Sequence, residues 1–230
     1  MNLNTRTPNG FLGVVMLDTR FPRPPGDMGN PATYERAHIP VHMVTVPGAS
    51  ARRVVQAQDP ALLKPFEEAA RSLARQGARL ITTSCGFLAA WQTELQAAVN
   101  CVAPVPVITS SLLQCARMPH PGIVTFDAAS LTPHLLQRAG VPDGTPVVGL
   151  RPGCELQHRI LTNDTTLDLR QAEADVVEAA ERLIRRHPHV SHVVLECTNM
   201  PPYRNAVARD TGRPVHDLET LLLRTWAELP

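Results

Sequence analysis

The stretch VVLECTNMPPY, Val193 to Tyr203, decides how the chain is read. An apolar run ends on a cysteine, steps into Thr-Asn and stops at two prolines. A second stretch, RLITTSCGF from Arg79 to Phe87, also ends its apolar run on a cysteine. Upstream of each lies a helix-forming segment of matching pattern, EAARSLAR at Glu68–Arg75 and EAAERLIR at Glu178–Arg185. Each half of the chain thus offers one unit: helix, short linker, apolar strand, then a cysteine at the strand's carboxyl end. The echo predicts an internal duplication. Ligands of open parallel sheets bind beyond the carboxyl ends of strands. Two halves packed about a pseudo-twofold axis would therefore bring Cys85 and Cys197 to one cleft.

The rest of the chain extends this pattern. Near-continuous apolar runs at Phe11–Leu17, Val41–Val46, Arg79–Ser84 and Val105–Thr109 read as strands in the first half. Gly122–Phe126, Thr145–Leu150 and His192–Glu196 read so in the second. Such runs suit a parallel sheet covered by helices on both faces. Apolar residues at three- and four-residue steps predict helices over 60–76, 88–99, 131–139, 169–186 and 218–229. Asp59 before Pro60 reads as an N-cap with proline at the first helical position. The fold class is α/β, with two pseudo-symmetric lobes, each a mainly parallel sheet flanked by helices, and a cleft between them. Residues 1–117 form the lobe carrying Cys85 and 118–212 the lobe carrying Cys197, with a terminal helix in 213–230 packing back on the first.

Composition narrows the function classes. The chain of 230 residues is 43% hydrophobic and 19% charged with a net charge of +1, and no block of like charge is present to neutralise phosphates. Nucleic acid is therefore not an expected partner. No apolar run reaches the roughly 18 residues that a membrane span needs, and the opening MNLNTRTPNG lacks a signal peptide's apolar core. A cytoplasmic location is expected. Five widely spaced cysteines with no Cys-x-x-Cys pair read as free thiols rather than a disulfide framework. Cys101, Cys115 and Cys154 sit in no repeated context and read as apolar filler. No metal, phosphate-loop or nicotinamide motif is present, so no cofactor is expected. The histidines of HPHVSH, His187 to His192, lack a carboxylate or cysteine partner for a metal.

Two thiols on opposite sides of one sp³ carbon can invert it, one removing a proton while the other delivers one. A strand end followed by a helix N-terminus is expected to lower a thiol's pKa and to hold a carboxylate through its free N–H groups. Gly86 permits close backbone approach to a ligand. Thr198 and Asn199 can cap and donate.

The motifs TTSCGF and LECTNMPP, with the N-terminal strand GVVMLDT, resemble the aspartate/glutamate/hydantoin racemase superfamily over nearly the whole chain. The resemblance implies that Cys85 and Cys197 are the two catalytic acid/base groups. It places Asp18 where glutamate racemases carry an aspartate, and likens Thr125–Ser130 to a loop lining the pocket. Substrate-binding candidates are then Asp18, Thr19, Asn30, Gly86, Phe87, Thr125, Thr198 and Asn199. The chain departs from amino-acid racemases at Gly86-Phe87, where those carry Asn-Thr, and at Asn199, where glutamate racemases carry histidine. The implied activity is cofactor-independent racemisation or epimerisation of a small carboxylate such as aspartate or glutamate. A decarboxylase, a maleate-type cis-trans isomerase and a non-catalytic ligand-binding module stay open, as does a homo-oligomer.

The insertion DTRFPRPPGDMGNPATY, Asp18 to Tyr34, reads as turns or as a structured lid. Its Arg20 and Arg23 either clamp a distal carboxylate or stay solvated. Asp18 either caps a turn or joins the site. Strand alternation turns Glu196 away from Cys197 and out of the site.

Overall fold

A computed structural model describes residues 10–230; the reading of the opening residues as carrying no leader lies, apart from Gly10, outside them. The elements in order are β1 Phe11–Leu17, α1 Ala32–Glu35, β2 Val41–Val46, α2 Leu63–Arg75, β3 Ala78–Thr83, α3 Gln92–Asn100 and β4 Val107–Ile108. The second set comprises β5 Pro121–Thr125, α4 Pro133–Arg138, β6 Val147–Gly149, α5 Glu155–Thr162, α6 Leu169–Arg186, β7 His192–Leu195, α7 Arg204–Thr211, β8 Val215–His216 and α8 Leu218–Glu228.

They build two 4-stranded sheets, ordered β2-β1-β3-β4 and β6-β5-β7-β8. Every strand pair is parallel. The two orders are the same permutation, so the lobes repeat one topology. The echoed helices explain how. Leu73 of α2 packs where a side chain on Gly13 of β1 would stand, 3.0 Å from an added Cβ. Leu183 of α6, its counterpart in the echo, lies 3.0 Å from an added Cβ at Gly122 of β5. In each lobe a glycine on the first strand lets the helix seat its leucine on the sheet.

Side chains on β1 divide by alternation. Phe11, Val15 and Leu17 join the large core that runs through both lobes. Leu12, Val14 and Met16 turn to the other face, where they pack with Leu80, Tyr34 and the Leu218, Leu221, Leu222 and Trp226 side chains of α8. Asp217 caps α8 by accepting from the Thr220 N–H, and the Thr220 hydroxyl accepts from the Asp217 N–H in return. Asp59 does cap a turn, but a 3-10 turn over Pro60–Leu62 that leads into α2. The helix predicted over 88–99 is split. A 3-10 turn covers Gly86–Trp91, Trp91 leaves helical geometry at φ −114°, ψ 19°, and α3 follows. Among the described residues no helix is long and apolar enough to cross a membrane.

Candidate active site

Strand β3 runs out at Thr83, the chain bends at Ser84, and Cys85 is extended before the Gly86 turn begins. Strand β7 likewise ends at Leu195, so Glu196 and Cys197 stand beyond it. The two loops are tied together: the Thr198 hydroxyl donates to the Ser84 carbonyl at 2.7 Å, and Ser84 Oγ accepts from the Leu17 N–H at 2.9 Å. Cys85 and Cys197 then line a single small cavity. Its walls include Leu17, Phe21, Arg23, Phe126 and Ile160 together with Gly86, Phe87, Glu196, Thr198 and Asn199. Both thiols are buried, at 7% and 8% exposure.

The Asp18–Tyr34 insertion forms part of this wall. The Met28 N–H donates to the Thr198 carbonyl at 3.2 Å, and Asn199 Nδ2 donates to Asp27 Oδ2 at 2.6 Å. Arg23 pairs with Asp27 at 2.7 Å, donates to Thr19 Oγ1 at 2.8 Å, and lies over the Phe21 ring at 4.4 Å. Its side chain is only 10% exposed, so it is not a solvated loop charge. A chain of contacts thus runs from Arg23 through Asp27 and Asn199 to the Cys197 thiol, which donates to Asn199 Oδ1 at 3.4 Å.

The sequence candidates divide. Gly86, Phe87, Thr198 and Asn199 line the cavity with the cysteines. Thr19 holds Arg23, and Asn30 donates to the Arg23 carbonyl at 2.7 Å, so both brace the loop from outside. Asp18 is exposed and accepts from the Gly48 N–H at 2.9 Å, as a turn cap. Thr125 is buried behind Glu196, to which it donates at 2.7 Å. Arg20 is exposed, and its N–H donates to Asn163 Oδ1.

Two expectations are corrected. Glu196 belongs to the cavity wall: alternation holds only within a strand, and β7 stops one residue earlier. The thiols are also not lowered in pKa. Burial, and then the Glu196 carboxylate, push Cys85 up to about 12 and push Cys197 well above its usual value. Backbone N–H groups of Phe87 and Leu88 do oppose this at Cys85, as does that of Asn199 at Cys197, but they are outweighed. The turn after Cys85 is a short 3-10 segment that supplies a few N–H donors and is broken from α3 at Trp91. Glu196 is itself raised to about 7 by burial, against the Thr125 hydroxyl and the Phe126 N–H. Sequence reading also missed Phe21, whose place in the wall depends on tertiary packing, whereas Phe126 lies in the Thr125–Ser130 segment likened to a pocket-lining loop. Among the described residues no group of three or more His, Cys, Asp or Glu is arranged to hold a metal ion.

Two thiols and one carboxyl around one small volume can take a proton from, and return it to, a single bound carbon. No protein-family model matches the chain. It is 30% identical over 220 residues to a dimethylsulfoniopropionate lyase of Durusdinium sp. clade D, covering 90% of this chain and 70% of that protein. It is 31% identical over 224 residues to dimethylsulfoniopropionate lyase 3 of Emiliania huxleyi (strain CCMP1516), covering 90% of this chain and 56% of the relative. The chain therefore spans between about half and about two thirds of the length of these relatives. Among solved structures, unliganded arylmalonate decarboxylase superposes with a TM-score of 0.60 at 18% identity, over 96% of this chain and 92% of that one. Glutamate racemase from Francisella tularensis subsp. tularensis SCHU S4, in complex with D-glutamate, superposes with a TM-score of 0.56 at 15% identity, over 96% and 81%. The chain belongs to the dimethylsulfoniopropionate lyase family, built on the two-lobed fold of the aspartate/glutamate/hydantoin racemase superfamily.

Proposed function

We propose that this protein is a thiol-based lyase that removes a proton from the carbon α to a carboxylate and expels a sulfonium group from the β carbon. With dimethylsulfoniopropionate the Cα–H pair becomes the Cα=Cβ double bond, and the Cβ–S pair leaves with sulfur. The products are dimethyl sulfide, acrylate and one proton. The observation that carries this reading is that both strand-end cysteines and three of the chain's five phenylalanines line one buried cavity. Aromatic faces attract a sulfonium cation, worth about 0.5–2 kcal/mol each. Phe21 already stacks under Arg23, which leaves Phe87 and Phe126 for that role. Thiols held protonated by burial also favour a cationic substrate, because an opposite charge brought beside a thiol stabilises its thiolate.

Cys85 is the base in this scheme. Two backbone N–H groups, of Phe87 and Leu88, support its thiolate, against one, of Asn199, for Cys197. Arg23, fixed by Asp27 and Thr19, offers its remaining N–H groups to the substrate carboxylate. The acting unit is the pair of lobes, residues 1–117 and 118–212, with 213–230 buttressing the first.

Two cysteines lining one cavity favour a second reading, in which Cys197 returns a proton to the opposite face and a small chiral carboxylate such as aspartate or glutamate is racemised. One experiment separates the two. The full chain is given dimethylsulfoniopropionate, and dimethyl sulfide and acrylate are measured. Equal amounts of both, lost in Cys85→Ser, support the lyase. No sulfide above the uncatalysed rate, with solvent deuterium entering chiral carboxylates, overturns it in favour of the racemase.

A further inference from the structure

We propose that Glu196 is the proton partner of Cys85, the two side chains forming one protonation unit in which the carboxyl takes the thiol proton as the thiolate forms. Glu196 is wholly buried. Its Oε2 accepts from the Thr125 hydroxyl at 2.7 Å, while Oε1 has no hydrogen-bond partner. That free oxygen is aimed at the backbone beside Cys85: a Cβ added to Gly86 would collide with Glu196 Oε1 and with the Glu196 carbonyl. The missing side chain at Gly86 thus leaves room for the carboxyl, and Glu196 is one of the residues that line the cavity together with Cys85 and Cys197.

A buried carboxylate oxygen without a donor is costly, and the cost falls away when the group carries a proton. Cys85, which lines the same cavity, can supply that proton, and burial makes its thiol costly to ionise. Cys85 and Cys197 of the two loops both feel the Glu196 charge, and the Arg23–Asp27 pair of the Asp18–Tyr34 insertion acts in turn on these thiols. The remaining contacts, from the end of β5, are the Thr125 hydroxyl and the Phe126 N–H. In the step, the Cys85 S–H bond breaks, its pair stays on sulfur, and an O–H bond forms at Glu196. The thiolate can then accept a proton from carbon, and Glu196 later releases its own to solvent. Only that use of the thiolate rests on the lyase reading; the pairing does not. Because Glu196 acts through Cys85, it is a positioning residue.

Strong coupling has a distinctive titration. Below the carboxyl's pKa of about 7 the thiolate fraction rises tenfold per pH unit; above it, the ionised carboxylate opposes the thiolate and the fraction levels off. The test is the rate at which iodoacetamide alkylates Cys85 in the full chain between pH 5 and 9, read by the mass of its peptide. The wild-type rate should change only about twofold from pH 7 to 9. In Glu196→Gln it should climb about 100-fold, since no second charge holds it back. Thr125→Val removes a donor that favours the charged carboxyl, so the break in its profile should move to higher pH, a readout that stands if Glu196→Gln folds poorly. Parallel profiles in all three proteins, or no alkylation of Cys85 at any of these pH values, would overturn the pairing. Absence of dimethyl sulfide from the wild type would sink the lyase reading alone.

Discussion

The first lobe presents Ser84-Cys85-Gly86-Phe87 and the second presents Glu196-Cys197-Thr198-Asn199, from the same place in the same topology. Everything beneath the two cysteines is alike: strand order, the helix before the strand, and the glycine under that helix's leucine. Everything beside them differs, and the differences fit one another. Gly86 is empty where Glu196 is full, and the Ser84 carbonyl accepts what the Thr198 hydroxyl donates. Symmetry sets where the thiols stand, and asymmetry sets what each can do.

The largest test breaks the pair apart. Cys85→Ser should lower kcat for dimethyl sulfide release by about 10³-fold, within the range that a positioned base contributes. Cys197→Ser should cost about tenfold or less, because an elimination needs one base. Equal, complete losses would restore equivalence of the thiols and favour proton transfer to both faces.

The next test concerns stability and pH. Glu196 has a folded pKa of about 7, above the usual 4.5 for glutamate. Its neutral form is the one the fold favours, so its contribution is fully present below about pH 4.5 and is lost as pH rises to about 7. At about 1.4 kcal/mol per pH unit the swing is of order 3 kcal/mol. Urea unfolding at pH 5 and pH 8 should show the wild type losing this much relative to Glu196→Gln. A constant difference between the two proteins would place the raised pKa in doubt. The first lobe supplies no counterpart, since Ser84 stands where Glu196 does.

A smaller test sharpens the likeness beneath the site. Gly13→Ala and Gly122→Ala should each destabilise by about 1–3 kcal/mol through overpacking. Gly122 should cost more, since its added Cβ meets Val190 at 2.7 Å, whereas that of Gly13 first meets Leu73 at 3.0 Å. Chemical denaturation of the two variants checks the order, and a larger cost at Gly13 would mean that the two helix seats are not equivalent.

How far the sequence carried this picture follows from which contacts are local. The strand runs, the helix over 169–186 and the two cysteine motifs are patterns of neighbours along the chain, and they were legible. The placement of Glu196 was misread because a strand rule was carried one residue past the strand. The sequence alone does not decide Arg23, because its burial depends on the Asp18–Tyr34 insertion reaching Thr198 and Asn199 in the other lobe. The direction of the thiol pKa values was missed for the same kind of reason. Donors near a cysteine can be read from sequence, but the desolvation that outweighs them is a property of the closed cavity.

The smallest expected effect asks whether the two lobes share the cationic end of the substrate. Phe87 follows Cys85 in the first lobe, and Phe126 follows β5 in the second; both are buried in the cavity wall. Replacing either by leucine keeps an apolar side chain and removes the ring's negative face. For dimethylsulfoniopropionate, KM should rise about 2- to 30-fold in each variant, the range of one cation–π contact. The uncharged thioether 3-(methylthio)propionate, tested as a competitive inhibitor, should be weakened far less, because it loses only apolar contact. If both ligands weaken equally, the rings serve as walls and the sulfonium is held by something else. If only one variant separates the ligands, the cation sits against that lobe, and the asymmetry of the thiols extends to the leaving group.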